Sequence, residues 1–223
     1  LFGEGEFRRD AELQAFRDQL ERFHEVLEID AEKEDSFIDV GIEPFRTTDV
    51  LIVPGPTKTM LPGVLASIDE FLAQGGKVMF LVDTLSIDDR VLRGVRNETG
   101  MTEYLAGYGI NLRPNVVFDT RSHETLSFTT RFGAVSLPYP YWVRAPTLEN
   151  KISGGVASVV FPWSNSIEIG EVVGETVEAE ITPLLATTEF AALDGNFRDL
   201  TPTSPVLEEF TEDELGTRLL AVA

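Results

Sequence analysis

Two short apolar runs separated by a helical stretch constrain this chain more than any other feature. Asp49-Val-Leu-Ile-Val-Pro54 stops at Pro54-Gly55-Pro56, and Lys77-Val-Met-Phe-Leu-Val-Asp83 follows the pair Gly75-Gly76. Between them Val64, Leu65, Ile68, Phe71 and Leu72 recur at helical spacing, and the glycine pair supplies the left-handed residue that commonly ends a helix. Unbroken apolarity predicts strands buried on both faces. Strand, helix, glycine turn and strand within roughly 35 residues make a βαβ unit, whose crossover forces the two strands parallel.

The same reading extends in both directions. Asp10 is placed to cap a helix near 10–24, with Leu13, Phe16, Leu20 and Phe23 as its apolar stripe, and 24–29 has strand character. Helical spacing continues over Ile87 to Val95 and Met101 to Tyr108, the latter stopped by Gly109, and Asn115-Val-Val-Phe-Asp119 is a further strand. The expected fold class is α/β with a mainly parallel sheet: a doubly wound core over 1–120, its helices near 10–24 and 60–74 on the sheet faces. Residues 121–223 form a strand- and loop-rich extension completing the same domain. Its strand candidates are 157–161, 177–181, 183–186 and 218–222, with a turn at Glu171–Glu175 and an irregular aromatic stretch at Tyr139-Pro-Tyr-Trp142.

Composition removes whole classes of function. The 223 residues carry 18 Lys and Arg against 38 Asp and Glu, a formal charge of −20. Nucleic acid and anionic membrane surfaces need clustered basic residues, so neither is an expected partner. Residues 1–50 hold 6 basic and 15 acidic groups, and 171–223 hold 2 and 12, leaving a nearly neutral middle. The absence of cysteine removes disulfides, thiolate metal sites and cysteine nucleophiles together. No run approaches the ~18 apolar residues of a membrane span. The abrupt Leu1-Phe2 opening and the apolar end at 217–223 read as a segment cut from a longer chain.

Candidate motifs for chemistry are mostly incomplete. Gly3-Glu4-Gly5 lacks the third glycine of a dinucleotide fingerprint, and Glu4 and Glu6 would repel a pyrophosphate. Gly55-Pro-Thr-Lys-Thr59 lacks phosphate-loop spacing. His123-Glu124 has no second histidine four residues on, so a two-histidine zinc site is not expected, and no Gly-x-Ser-x-Gly elbow occurs. Asn97-Glu-Thr99 matches a glycosylation sequon. Arg90, Arg93 and Arg96 would share one face of a helix and meet an acidic partner or balance their own acidic neighbours.

The residues that stand out are Asp83 and Asp119, each closing an apolar strand, because parallel sheets bind ligands beyond their carboxyl ends. Gly55 would border the same crevice, Glu4 and Glu6 its rim. Such aspartates serve equally as helix caps. Tyr141 and Trp142, in the aromatic stretch, read either as a stacking platform or as a loop tucked over the core. An acidic rim selects a cation, a polyol-like group or a basic peptide over an anion. No cofactor is called for.

In order, these pieces resemble the extracytoplasmic auxiliary proteins of ABC-type transport systems, including the one associated with gliding motility. Gly3-Glu-Gly-Glu6 resembles that family's Gly-His-Gly-Glu opening, with Glu4 in place of His. Asp49 to Pro56 resembles its strand ending in Gly-Pro, and Ile68 to Asp83 its helix, Gly-Gly turn and strand. Leu105-Ala-Gly-Tyr-Gly-Ile110 with Asp119, then Tyr139-Pro140 and Val160-Phe161-Pro162, continue in family order. The resemblance implies a Rossmann-like three-layer sandwich outside the cytoplasm (periplasmic in a two-membrane cell), tethered to the inner membrane by segments beyond this sequence. The implied partners are ABC permease and ATPase subunits, and the implied role is non-enzymatic binding or scaffolding. The fold is also similar to class I glutamine amidotransferase-like domains, whose cysteine nucleophile is missing here. Two alternatives stay open: a carbohydrate-active hydrolase using strand-end carboxylates, and a general protein-interaction module.

Overall fold

The computed structural model describes residues 7–27, 29, 49–131, 133–153, 155–171 and 180–223. They form two compact units, Leu1–Asp83 with Asn97–Tyr104, and Thr84–Arg96 with Leu105–Ala223.

The first unit holds the βαβ unit. Strand β1 (Val50–Pro54) runs parallel to β2 (Lys77–Leu81), Val50 beside Lys77 and Pro54 beside Leu81. Helix α2 (Pro62–Ala73) joins them, following α1 (Phe7–Leu20) in the chain. Pro62 suits the first helical turn, where its missing N–H has no intrahelical acceptor. Val64, Ile68 and Phe71 are its buried stripe. At its end the Gly75 N–H donates to Leu72 O (2.9 Å) and the Gly76 N–H to Phe71 O (2.9 Å), a Schellman closure with Gly75 at φ 86°. At Gly76 an added Cβ would stand 2.4–2.5 Å from three atoms of the Phe71 ring, which would have to shift.

Three expectations for this unit need correction. The parallel sheet has two strands, β1 and β2, so among the described residues there is no mainly parallel, doubly wound or Rossmann-like sandwich. Nor is β2 buried on both faces: Leu51 and Val53 are buried, but on the opposite face Met79 is 46% and Leu81 40% exposed. Continuous apolarity reported strand, and not two-sided cover. The helix begins at Phe7, ahead of Asp10, and ends at Leu20, leaving Phe23 81% exposed, while 24–27 and 29 form no strand.

The second unit is antiparallel throughout its described strands. Its elements are β3 (Leu85–Asp88), β4 (Arg93–Arg96), β5 (Ile110–Leu112), β6 (Val116–Asp119), β7 (His123–Thr130), β8 (Gly133–Pro146) and β9 (Ser158–Pro162). They continue with β10 (Ile167–Ile169), β11 (Pro183–Ala186), β12 (Ala191–Asp194), a helical turn α4 (Val206–Glu209), a 3-10 turn (Glu212–Glu214) and β13 (Leu219–Val222). Helix α3 (Met101–Ala106) precedes β5. The sheets are β7-β8-β9, β11-β13-β10-β5, β12-β6 and β3-β4. Strand β6 is buried along its whole length, and its side chains alternate between two cores. Val116 and Phe118 join Leu85, Tyr139, Tyr141, Ala192 and Leu200, whereas Val117 joins Val143, Ala145, Leu185, Ala191 and Leu220.

Here too the expectations shift. The helix expected over Ile87 to Val95 is the β3–β4 hairpin, pairing Leu85 with Arg96 and Asp88 with Arg93. Apolar Ile87, Val91 and Val95 imitate helical spacing, but the Asp88 carboxylate accepts the Arg90 N–H (3.0 Å) and fixes a turn. Arg90, Arg93 and Arg96 therefore share no helical face. The strand at 115–119 pairs antiparallel with β12 instead of joining a parallel sheet. Expected strands at 157–161, 183–186 and 218–222 correspond to β9, β11 and β13, while most of 177–181 and of the turn at 171–175 lies outside the described residues. Tyr139 to Trp142 lies within the 14-residue β8. There β7 and β8 slip register, His123 opposite Val143 but Glu124 opposite Tyr139, and Pro140 sits in the bulge, where its missing N–H breaks no ladder bond.

Candidate functional site

In the first unit Gly55 and Asp83 each follow a strand of the parallel pair at its carboxyl end. Gly55, at φ 56°, donates its N–H to Leu81 O (2.6 Å), closing the end of the β1–β2 ladder, and exposed Asp83 follows two residues later. What holds this end together is Asn97, whose Nδ2 donates to both Pro56 O (3.0 Å) and Asp83 O (3.1 Å). The loop after β1 is further tied by Thr59 Oγ1 to Glu98 O (3.1 Å) and Met60 N–H to Thr99 O (3.0 Å). The sequon reading of Asn97-Glu-Thr99 meets an obstacle here: the Asn97 amide is already committed to two carbonyls and Thr99 is buried. Glu4 and Glu6, the expected rim, lie outside the described residues.

Asp119 belongs to the second unit, fully buried at the end of β6. Its Oδ1 accepts the N–H groups of Arg121 and Ser122, both at 2.9 Å, and the Thr188 hydroxyl at 3.0 Å. Its Oδ2 accepts the Thr188 N–H (2.9 Å) and the same hydroxyl at 2.8 Å. The partner strand ends the same way. Asp194, buried at the end of β12, accepts the Asn196 and Phe197 N–H groups on Oδ1 (2.8 and 2.9 Å) and the Tyr141 hydroxyl on Oδ2 (3.1 Å). Both carboxylates thus close loops. Such hydrogen bonding is what a buried carboxyl group needs.

Tyr141 packs edge-on to Phe118 (5.7 Å between centroids) and to Tyr139 (5.9 Å), and Phe128 stands against Tyr139 at 5.5 Å. Trp163 donates Nε1–H to the Tyr139 hydroxyl (2.9 Å), which donates to Leu200 O (2.5 Å). Trp142, half-buried, meets Trp163 at 5.4 Å and 89°. Burial pushes the Tyr139 phenol up to about 12 and raises that of Tyr141 as well, so both stay protonated donors. His123 Nδ1 lies 2.7 Å from Asp119 O. Among the described residues no three His, Asp or Glu side chains gather to hold a metal ion.

The sequence singled out Asn97 only as a sequon, and Asp194 and Thr188 were missed. Asp194-Gly195-Asn196 is a turn signal that could have identified the second cap. Nothing local announces Thr188, which reaches Asp119 across 69 residues.

Known proteins place this arrangement in context. The chain is similar to a solved structure described as "mmIFT52 N-terminal domain", with a TM-score of 0.51, 14% identity and coverage of 80% of this chain and 66% of that one. At that identity the likeness concerns the fold alone. This chain spans just under two thirds of that structure. No curated protein matches it. Residues 1–223 match the family described as "ABC-type uncharacterized transport system", and the chain therefore belongs to that family of ABC transport auxiliary proteins.

Proposed function

We propose that this chain is a non-enzymatic binding and scaffolding domain of an ABC transporter assembly, held outside the cytoplasm and contacting the permease or its substrate. The observation that carries the reading is family membership along the entire chain. The geometry of the second unit supports it, because Asp119 and Asp194 spend their carboxylates on backbone and hydroxyl donors. The rival hydrolase reading needs just such strand-end carboxylates. In this proposal the ligand- or partner-facing residues are Gly55 and Asp83, with Asp119, Tyr141 and Trp142 holding the second unit's loops in place. The ligand class is a cation, a polyol-like group or a basic peptide segment.

The test is affinity purification of the full-length parent protein from solubilised membranes. Co-purification of a permease and an ATPase subunit is the expected result. A parent gene without membrane-spanning segments, or a purified protein free of transporter subunits, overturns the proposal.

A further inference from the structure

We infer that the outer edge of β7 is a self-pairing surface, on which a second copy of this chain adds its own β7 antiparallel across a two-fold axis at Ser127. In the order β7-β8-β9 this strand is the edge, and at eight residues it is a long one. Edge strands normally carry a device against strand addition: a charge, a proline, a bulge or very short length. Four other edges here have one: Pro162 ends β9, Pro183 and two register shifts interrupt β11, β5 has three residues, and β4 carries Arg93 and Arg96. Among the described residues, β7 from Thr125 to Thr129 has no charge, proline or bulge. Its bulge and its one acid, Glu124, paired with Arg144, lie at its base.

The strand is also held ready. Leu126 and Phe128 pack on the core, Phe128 against the Tyr139 ring, while Thr125, Ser127 and Thr129 are exposed on the other face. Pro138, opposite Thr125, has no N–H to give, so that pair is not hydrogen-bonded. The alternation of the ladder then turns the backbone N–H and C=O groups of Thr125, Ser127 and Thr129 toward the open edge.

The occupant follows from charge and register. In a chain of net charge −20, residues 125–130 and 133–138 contain no charged side chain, so two copies can approach there without opposing carboxylates. Self-pairing about Ser127 sets Thr125 opposite the second copy's Thr129 and Leu126 opposite its Phe128. Hydroxyl meets hydroxyl and apolar meets apolar. A ladder this short buries less than the ~1,200 Å² of a stable interface, so the pairing is transient and needs trapping to be seen.

The chain has no cysteine, which makes the trap clean. In the two-fold register the Ser127 Cα atoms face each other at about 5.5 Å, within disulfide reach. Under mild oxidation Ser127→Cys should form a disulfide-linked dimer at least tenfold faster than Ser136→Cys, an exposed position on the inner strand β8 whose hydroxyl lies 3.1 Å from that of Ser127. Adding Thr125→Lys and Thr129→Lys, both on the solvent face, opposes ammonium groups across the axis and should abolish that excess. A mixture of Thr125→Cys and Thr129→Cys chains should cross-link faster than either alone. Equal rates at positions 127 and 136 overturn self-pairing and leave the edge to a strand from a different protein. An excess that survives both lysines overturns it as well.

Discussion

Asp83 and Asp119 occupy the same kind of position, the end of an apolar strand, in units built on different principles. In the first unit the strands are parallel, one face of the pair is partly exposed, and Asp83 stands exposed while Asn97 ties its backbone. In the second the strands are antiparallel, β6 lies between two cores, and Asp119 is sealed among five hydrogen-bond contacts. A strand-end aspartate is therefore defined by what the following loop donates to it. Where three backbone N–H groups and a distant hydroxyl converge, as at Asp119, the carboxylate becomes part of the fold.

The sharpest way to break this comparison is Asp119→Ala. Removing a buried acceptor orphans the Arg121, Ser122 and Thr188 donors, and a loss of ~3–5 kcal/mol is expected by analogy with breaking buried charged networks. Both tryptophans, Trp142 and Trp163, belong to the second unit, so their fluorescence in a urea titration reads that unit directly. A loss below about 1 kcal/mol would show that Asp119 is not the cap the geometry describes.

Alkali tests the same unit by a different route. The folded Tyr139 phenol keeps its proton to about pH 12, whereas the unfolded phenol releases it near 10. The unfolded chain thus binds fewer protons between those values. Stability contributed by Tyr139 is complete below pH 10 and is lost as pH rises toward 12, by roughly 2 kcal/mol. Tyr141, raised by burial too, adds to the same slope. Urea midpoints measured across this window should fall steeply for the wild type and less for Tyr139→Phe. Parallel slopes would remove Tyr139 from the account.

How much of this was legible beforehand depends on the range of the interactions. The βαβ unit was readable because its signals are local: two apolar runs, a helical stripe and Gly75-Gly76. The sheet around it was not, since apolarity in β2 says nothing about which neighbours arrive to cover Met79 and Leu81. The β3–β4 hairpin hid behind Ile87, Val91 and Val95, whose spacing suits a helix until the Asp88 turn intervenes. Asp119 was identified at the right strand end, but its role is set by Thr188, far along the chain. The aromatic stretch at Tyr139 to Trp142 was open between a stacking platform and a loop over the core, and the bulge that lets β8 carry Pro140 is set by pairing with β7 and has no local signal.

A smaller effect is expected from Gly76→Ala in the first unit. The added methyl must displace the Phe71 ring beneath the Schellman closure, a strain on the order of 1.5 kcal/mol. Circular dichroism follows both units, and tryptophan fluorescence only the second. The loss should therefore appear in the former and leave the fluorescence midpoint in place if the units unfold separately. Coincident shifts in both signals would show that the two units unfold as one.

The smallest change in stability, and the most direct question about function, belongs to Asp83→Asn. The side chain is exposed, so a change within ~0.5 kcal/mol is expected, an order below that at Asp119. Its backbone carbonyl still accepts from Asn97, because the substitution leaves the main chain untouched. What should change is association: with the carboxylate gone, a cationic or basic-peptide partner at this strand end loses its charge complement, and capture of transporter subunits by the full-length protein should weaken several-fold. Weaker capture that fades equally as salt is raised for the wild type fits a charge contact at an exposed site. Unchanged stability with unchanged capture removes Asp83 from the contact, and a stability loss comparable to that of Asp119→Ala would erase the distinction between the two strand ends.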